Sequence, residues 1–331
     1  MSIQFRLTNR REPLLSLIVI SPDSYATVQR TVRALKQQTI RDRLELVFVS
    51  PDASTFRPDP DDVEGFACFQ VVEYKPFLSS AEARAVGTRA ARGSLVALVE
   101  DHCYAEPEWA EWLSHAHEQP WAGVGPSIRN ANPDTLTSQA NMVIEYGPWL
   151  DPVNGGEHSH IPGHNSCYKR DVLLQYGGSL GRRLEAESVM QWELQSQGHR
   201  FAIEPRAIVR HENFAQLGPS IRLRFHGGRL FAARRAQAWT PGRRVAFALA
   251  SPLIPLVRWW RSVPMATRAN GGTPPWRIWP VLALLLACDG AGECVGYLAG
   301  TGSAVRRSSE LEFHRYRFHS AQQPAEPSRA S

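Results

Sequence analysis

Acidic residues follow three apolar runs in the first hundred residues of this 331-residue chain. Asp23 comes after LSLIVIS (15–21), Asp52 after LELVFVS (44–50), and Glu100, Asp101 and His102 come after LVALV (95–99). A carboxylate at the end of a buried strand needs a partner, which a bound ligand or the protein itself must supply. These residues are therefore the first candidates for a functional site.

The spacing of apolar residues predicts alternating strands and helices around these acids. The three runs are β-branched and apolar, as in strands buried on both faces, and helical spacing follows at 24–38, 79–91 and 106–117. This alternation predicts an α/β fold with a doubly wound, mostly parallel sheet. Ligands of such sheets bind beyond the carboxyl ends of the strands, so the acids lie on one rim, which is the predicted site.

Five segments occur in the order found in one enzyme family. They are LLSLIVISPDSYATVQRTVRALKQQT, LELVFVSPDAS, ARAVGTRAARGSLVALVEDHCYAEPEW, GHNSCYKRDVL and IEPRAIVRH. The ordered set, which covers about residues 13–215, resembles the bacterial family 2 glycosyltransferases. The resemblance implies the GT-A fold, a nucleotide-activated sugar as donor, and a catalytic domain at 1–218.

The resemblance also implies how the donor is bound. Asp52 lies where the family has an acid that contacts the nucleotide base, and Asp23 is a further candidate nucleotide contact, although a local turn or helix cap explains either acid. Glu100, Asp101 and His102 lie at the family's acidic metal-binding triplet, so Asp101 and His102 are the expected ligands of Mg²⁺ or Mn²⁺. Because imidazole is a poor Mg²⁺ ligand, His102 favours Mn²⁺. A cation-free mechanism and lost activity are the other interpretations.

The catalytic base is expected in the helical segment Leu184–Gln197. By likeness to the family, Glu187 is the base that removes the acceptor proton, and Glu185 is the alternative. Acids also favour the first turn of a helix for electrostatic reasons alone. Three further residues resemble polar contacts to donor or acceptor: His164, Asn165 and His211.

Residues 219–302 form a basic, apolar extension. Between 219 and 268 there are ten arginines and no Asp, Glu or Lys. The apolar runs Val245–Trp260 and Ile278–Cys288 are too broken or too short for a spanning helix. They favour helices that lie on an anionic membrane surface, with a packed helical subdomain and a crossing at 278–300 as alternatives. The polar residues 303–331 are expected to form a mobile tail.

These features predict inverting transfer of a sugar from a nucleoside diphosphate donor to a lipid-linked or polysaccharide acceptor, at the cytoplasmic face of the cell membrane. The altered triplet leaves a second hypothesis, a non-catalytic binding or scaffolding subunit in envelope polysaccharide assembly. A nucleotidyltransferase is disfavoured because no Gly-rich phosphate loop follows the first strand. No nucleic-acid partner is expected, since no recognised binding module accompanies the arginines.

Overall fold

A ten-stranded sheet forms the centre of the protein. The computed structural model describes residues 3–7, 12–269 and 274–320. The strands are β1 (Ile3–Leu7), β2 (Leu15–Ile20), β3 (Leu44–Ser50), β4 (Cys68–Glu73), β5 (Leu95–Val99), β6 (Cys103–Ala105), β7 (Gly123–Asn130), β8 (Gly156–His158), β9 (Cys167–Lys169) and β10 (Phe201–His211). Strands β2, β3 and β5 are buried along their whole length, which explains their continuous apolar sequences.

The strand order is β1-β4-β3-β2-β5-β9-β7-β10-β6, with β8 paired to β10. The long ladders β4-β3-β2-β5 and β7-β10 are parallel, and the shorter pairings of β1, β6, β8 and β9 are antiparallel. The sheet is therefore mixed and dominated by parallel pairs, and the predicted α/β class is confirmed.

Thirteen α-helices accompany the sheet in the described part of the chain. They are α1 (Tyr25–Lys36), α2 (Pro60–Val63), α3 (Ser80–Ala90), α4 (Trp109–Ala116), α5 (Leu136–Tyr146), α6 (Arg170–Leu174), α7 (Leu180–Arg183), α8 (Glu187–Ser196), α9 (Leu217–Arg235), α10 (Pro241–Ala250), α11 (Ile254–Ala269), α12 (Ile278–Ala299) and α13 (Ala304–Phe313). The predicted helices occur with trimmed ends. Ser79 caps α3, because its Oγ accepts a hydrogen bond from the Glu82 amide at 3.2 Å.

Two local features shape the second half of the sheet. The segment 155–164 contains the short strand β8, which pairs with the beginning of β10. Strand β10 runs through Pro205 to His211, with a register shift between Glu204 and Ile208. An irregularity of this kind absorbs a proline, which cannot donate to the ladder, and allows the strand to reach the site.

The helices after β10 pack on α5, beside the sheet, and on one another. Helices α9 and α12 touch backbone to backbone: a Cβ atom added at Gly292 would lie 2.1 Å from the Phe225 carbonyl oxygen, and one added at Gly296 would lie 2.3 Å from that of Arg229. Apolar side chains of α12, including Leu282 and Leu285, pack against α5. The extension is thus anchored to the sheet through α5.

Helix α12 continues through the two acids that follow its apolar run. Asp289 and Glu293 both pair with Arg258 of α11, the second at 2.7 Å, so the charges are compensated inside the helix cluster. Among the described residues, α12 alone has the length and composition to cross a membrane, and half of its apolar stretch is buried in the protein. The core helix of a soluble protein has the same properties, so this is weak evidence for a span.

The prediction of a mobile tail is wrong for residues 304–320. Helix α13 and a following turn at Arg315–Arg317 fold back over the sheet and the helices that precede β10. Phe313 and Arg315 are buried there. Residues 321–331 lie outside the described residues. We call residues 304–320 the C-terminal segment.

Candidate functional site

The sheet brings the sequence-predicted acids to one edge. Strands β2, β3 and β5 are parallel neighbours, so Asp23, Asp52 and Glu100 follow strands that end at the same side. Strand β6 begins directly after the Glu100–His102 triplet and pairs with the end of β10, which sets Cys103 opposite His211. The register of this short antiparallel pair therefore brings His211 to the triplet.

Glu100 is a buried carboxylate at the centre of the site. Its Oε2 accepts hydrogen bonds from Tyr146 Oη at 3.0 Å and Asn165 Nδ2 at 2.8 Å, and its Oε1 lies 3.0 Å from His164 Nδ1. Burial opposes ionisation, but the positive charge of His164 holds the pKa of Glu100 well below its usual value. Glu100 is therefore an ionised group inside the protein.

His102 and His211 face each other beside this carboxylate. Their Nε2 atoms are 3.1 Å apart, while Nδ1 of His102 contacts Asp101 Oδ1 at 2.7 Å and Nδ1 of His211 contacts Asn213 Oδ1 at 3.0 Å. Burial lowers the pKa of both imidazoles well below its usual value, so both are neutral. Two nitrogen lone pairs at this distance repel each other, so a proton or a cation must lie between them.

The donor atoms fit a metal cation. Ligand atoms of Glu100, His102, Cys103 and His211 all lie within 4.8 Å of one another and all four residues are buried; we call them the candidate metal cluster. Burial raises the pKa of the Cys103 thiol well above its usual value, and the thiol donates to Glu100 Oε2 at 3.4 Å. One carboxylate and two neutral imidazoles remain, a set that suits Mn²⁺ and later transition metals better than Mg²⁺.

Asp101 lies beside this cluster and is not a member of it. Its Oδ1 binds the Nδ1 of His102, and its backbone carbonyl accepts a hydrogen bond from Thr31 Oγ1 at 2.7 Å. Burial raises the pKa of Asp101 to about 7. A carboxyl group bound to one ring nitrogen of a histidine commonly orients the other ring nitrogen toward a metal. Of the two expected ligands, only His102 offers an atom to the cluster.

His164 joins Glu100 to Glu187. Its Nε2 lies 3.0 Å from Glu187 Oε1, on the side of the ring opposite Glu100. Burial and Arg84 lower the pKa of His164, but the two carboxylates outweigh them and raise it to about 9. His164 is thus an imidazolium between two carboxylates. Its neighbour Asn165 has a left-handed backbone (φ 57°), which Asn tolerates well, and this turns its amide toward Glu100.

Glu187 and Glu185 have different surroundings. Glu187 is the first residue of α8 and packs closely on Gly163, where an added Cβ would lie 2.9 Å from its Cδ. Burial disfavours its charge, but His164 lowers the pKa of Glu187 below its usual value. Glu185 pairs with Arg234 of α9, and burial raises the pKa of Glu185. Of the two candidate bases, Glu187 alone is joined to the cluster through His164.

The two acids nearer the chain start are held by local contacts. Asp52 Oδ1 accepts hydrogen bonds from the Ser54 amide at 2.8 Å and from Ser54 Oγ at 2.6 Å, as in an Asx turn. Asp23 Oδ2 contacts His314 Nδ1 at 3.1 Å and accepts a hydrogen bond from Tyr316 Oη at 3.2 Å. Asp52 thus lies at the expected edge, and Asp23 is bound to the C-terminal segment.

Two arginines of the site were missed by sequence reasoning. Arg84 of α3 is only 5% exposed, and its Nε has no hydrogen-bond partner among the described residues. Arg315 is equally buried; its Nη2 lies 3.5 Å from His211 Nε2 and 3.3 Å from Glu145 Oε2. The helical spacing around Arg84 pointed to a helix without indicating which face meets the site, and the polar sequence around Arg315 resembled a tail.

A cleft connects these groups with the C-terminal helices. A cavity of about 210 Å³ is lined by Glu100, His164, Glu187 and Arg315, among others. It shares Glu145, Ser188 and Glu312 with a wider cleft of about 470 Å³, which extends to Arg258 and Arg261 on α11. The site is therefore open toward the basic, apolar extension.

The overall fold matches that of a solved glycosyltransferase structure. A mannosyltransferase from Pyrobaculum calidifontis, solved in complex with GDP-Man and Mn²⁺, superposes with a TM-score of 0.51 at 16% identity, over 87% of this chain and 89% of that one. The fold is of the GT-A type. S. aureus TarS (1–349) gives a TM-score of 0.41 at 13% identity, over 88% of this chain and 90% of that chain.

One sequence comparison points to the same class of enzyme. The chain is 29% identical over 171 residues to the glucosyl-dolichyl phosphate glucuronosyltransferase of Haloferax volcanii, which covers 48% of this chain. The chain spans about half the length of that curated relative, 52%. No protein-family model matches the sequence.

Proposed function

We propose that this chain is a metal-dependent, inverting glycosyltransferase that moves a sugar from a nucleoside diphosphate donor to a lipid-linked or polysaccharide acceptor. One observation carries the proposal: His164 joins the candidate metal cluster to the carboxylate of Glu187, at one cleft of a GT-A fold. The likeness to a glucuronosyltransferase and to a mannosyltransferase supports the same reaction class.

Glu100, His102 and His211 would hold the cation, with Asp101 and Asn213 orienting the two imidazoles. Such a cation, when bound, neutralises charge that develops on the departing nucleoside diphosphate. The buried guanidinium of Arg84, whose Nε has no hydrogen-bond partner among the described residues, would add a further positive charge. In this proposal Asp101 positions a ligand and is not a ligand itself.

Glu187 would act as the base. It would take the proton of the acceptor hydroxyl while that oxygen attacks the anomeric carbon of the sugar. The bond between this carbon and the β-phosphate oxygen breaks, and its electron pair leaves with the nucleoside diphosphate. Attack opposite the leaving group inverts the configuration. His164 would hold the carboxylate in place and, by lowering its pKa, keep it ionised at neutral pH.

Asp52 is proposed to bind the nucleoside. It follows β3, the strand next to β2 on the same edge as the cluster, and one carboxylate oxygen is already used by Ser54. The second oxygen would accept a hydrogen bond from a base N–H. Asp23, on the adjacent strand end, would contribute through the C-terminal segment that it binds.

The extension is proposed to lie on the cytoplasmic face of a membrane. Large apolar side chains form an exposed stripe on α10, the next turn and α11: Val245, Leu249, Leu253, Leu256 and Trp260. Leu249 and Trp260 are each 77% exposed, and Arg243, Arg244 and Arg261 lie close in sequence. An apolar stripe flanked by arginines suits a bilayer surface with anionic lipids. The acceptor would then enter from the lipid side, where the wider cleft reaches α11.

The test is donor turnover by the purified full chain. A panel of UDP- and GDP-sugars would be incubated with Mn²⁺, with Mg²⁺ or with EDTA, and release of the nucleoside diphosphate would be measured. His211→Ala should lose turnover, while the matched variant His115→Ala, which changes an exposed histidine of α4, should keep it. Equal turnover by both variants would remove the metal assignment. Donor binding without turnover across several acceptors would favour a non-catalytic subunit.

A further inference from the structure

The C-terminal segment lies across the predicted donor site. His314 and Tyr316 bind Asp23 after β2, and His319 Nδ1 lies 2.9 Å from Glu212 Oε2 directly after β10. The Phe318 carbonyl accepts a hydrogen bond from the Ala215 amide at 2.7 Å. The segment therefore spans the strand ends on both sides of the candidate metal cluster.

Two side chains of this segment, Arg315 and His319, lie beside the cluster. Arg315 is 3% exposed and its Nη2 is 3.5 Å from His211 Nε2, while the ring of His319 lies 5.5 Å from that of His102. Arg315 Nε and His319 Nε2 are buried, and neither has a hydrogen-bond partner within residues 3–7, 12–269 and 274–320. A buried N–H without a partner costs free energy, unless a ligand satisfies it.

Charge and shape indicate what the ligand is. Arg315 pairs with Glu145 and Glu312, and Arg224 also pairs with Glu145, so the two arginines balance these two carboxylates. The Nε–H of Arg315 is the donor of this guanidinium that has no partner among the described residues. A guanidinium presents several N–H donors in one plane, which match the oxygens of a phosphate. Beside the ligands of a divalent cation, the ligand that fits is a diphosphate.

We propose that the C-terminal segment completes the donor site, with Arg315 donating to the diphosphate of the nucleotide and His319 holding the segment on Glu212. This inference rests on the proposed function, because it concerns the same donor. The proposal adds to the donor site a part of the chain that lies about a hundred residues beyond β10 in sequence. The packing of α12 on α9 brings this part back to the sheet.

The test is a binding titration of the full chain in detergent with UDP and with GDP, in the presence of Mn²⁺. Arg315→Gln should weaken the affinity for the bound nucleotide by about tenfold to a hundredfold, the effect of losing a hydrogen bond to a charged group. Arg315→Lys should recover part of the loss. The matched variant Arg317→Gln, which changes an exposed arginine two residues away, should bind like the unchanged protein.

Two further measurements distinguish a role of Arg315 in binding the diphosphate from a purely structural role. Inorganic pyrophosphate should lose affinity in Arg315→Gln, while the free nucleoside (uridine or guanosine) should not. Glu312→Gln, which removes an ion-pair partner but keeps the guanidinium, should bind the nucleotide as tightly or more tightly, and it gives an answer even where Arg315→Gln fails to fold. Weaker binding by Glu312→Gln together with a lower melting temperature would overturn the proposal.

The other outcomes are equally distinct. Unchanged binding by Arg315→Gln overturns the inference and leaves the proposed function intact. Tighter binding or faster turnover by Arg315→Gln would overturn it as well, because the segment would then be an inhibitory plug. Absence of nucleotide binding by the unchanged chain, with either UDP or GDP, would overturn the proposed function itself.

Discussion

His164 Nε2 lies 3.0 Å from Glu187 Oε1, and this ion pair joins the two halves of the candidate site. One half holds the buried ligands of a cation, and the other holds a carboxylate on the first residue of a helix. The imidazolium keeps both carboxylates ionised without a solvent-exposed counterion. The predictions below start from this arrangement.

Glu187→Gln should reduce turnover by about 10²- to 10⁴-fold, the usual contribution of a general base, because the amide cannot accept the acceptor proton. Donor affinity, measured by titration calorimetry, should change little. Glu185→Gln is the matched variant two residues away and should retain most of its turnover, since Glu185 faces Arg234. A larger loss in Glu185→Gln than in Glu187→Gln would reverse the assignment of the base.

Asp101→Asn should weaken Mn²⁺ affinity by about 10- to 100-fold, as expected for a group that orients a ligating histidine. His102→Ala should weaken it further, because it removes a ligand. Calorimetric titration with Mn²⁺ measures both, and Asp134→Asn, an exposed acid, serves as control. Loss of binding in Asp101→Asn equal to that in His102→Ala would make Asp101 a ligand after all.

We predict that the folded protein loses stability in mild acid because of His117. It is largely buried, its Nε2 contacts the Cys167 carbonyl at 3.1 Å, and burial lowers the pKa of His117 to about 4. Because the unfolded chain binds this proton near pH 6.5, the stabilising contribution is complete above pH 6.5 and is lost as the pH falls toward 4. The loss from this group should reach about 3 kcal/mol.

His117→Gln should flatten this dependence, since glutamine keeps a donor for the Cys167 carbonyl but does not titrate. Chemical denaturation between pH 7 and pH 4 measures the effect. His115→Gln, which changes an exposed histidine in the last turn of α4 two residues away, should keep the slope of the unchanged protein. Identical slopes for all three proteins would contradict the prediction.

Gly292→Ala should destabilise the protein by about 1–3 kcal/mol, because the new methyl group meets the Phe225 carbonyl of α9 and the two helices must separate. Gly242→Ala is the matched change on α10, where an added Cβ meets nothing within 4 Å. It should be neutral or stabilising by up to about 1 kcal/mol, since alanine favours a helix over glycine. Thermal unfolding measures both, and equal melting temperatures would argue against the close packing.

Leu249→Gln combined with Trp260→Gln should reduce binding to vesicles by at least about tenfold, because each change removes a large exposed apolar side chain from the stripe. Flotation of the full chain with vesicles containing anionic lipids measures this, and high salt should weaken binding further. Leu78→Gln, which changes an exposed leucine outside the extension, is the control. Flotation of the double variant at the level of the unchanged protein would contradict a membrane-facing stripe.

Strands β3 and β5 were predictable to the residue, because a strand buried on both faces is mostly apolar and β-branched and is bounded by polar residues. The division of roles within the triplet was not, since the directions of Glu100 and Asp101 depend on how the backbone turns after β5. The position of Arg315 in the site was even harder to predict from the sequence. Its burial depends on the packing of α12 and α13, which no local pattern around residue 315 records.

The fold-back of the C-terminal segment has a practical consequence for protein engineering. Removing everything after Gly302 is the obvious way to shorten this chain for crystallisation, because the sequence there is polar and ends in a run rich in Ser, Pro and Gln. Such a truncation would delete Arg315 and His319 and strip Asp23 and Glu212 of their partners. A shortened protein without turnover would then report a missing piece of the nucleotide pocket rather than an inactive enzyme.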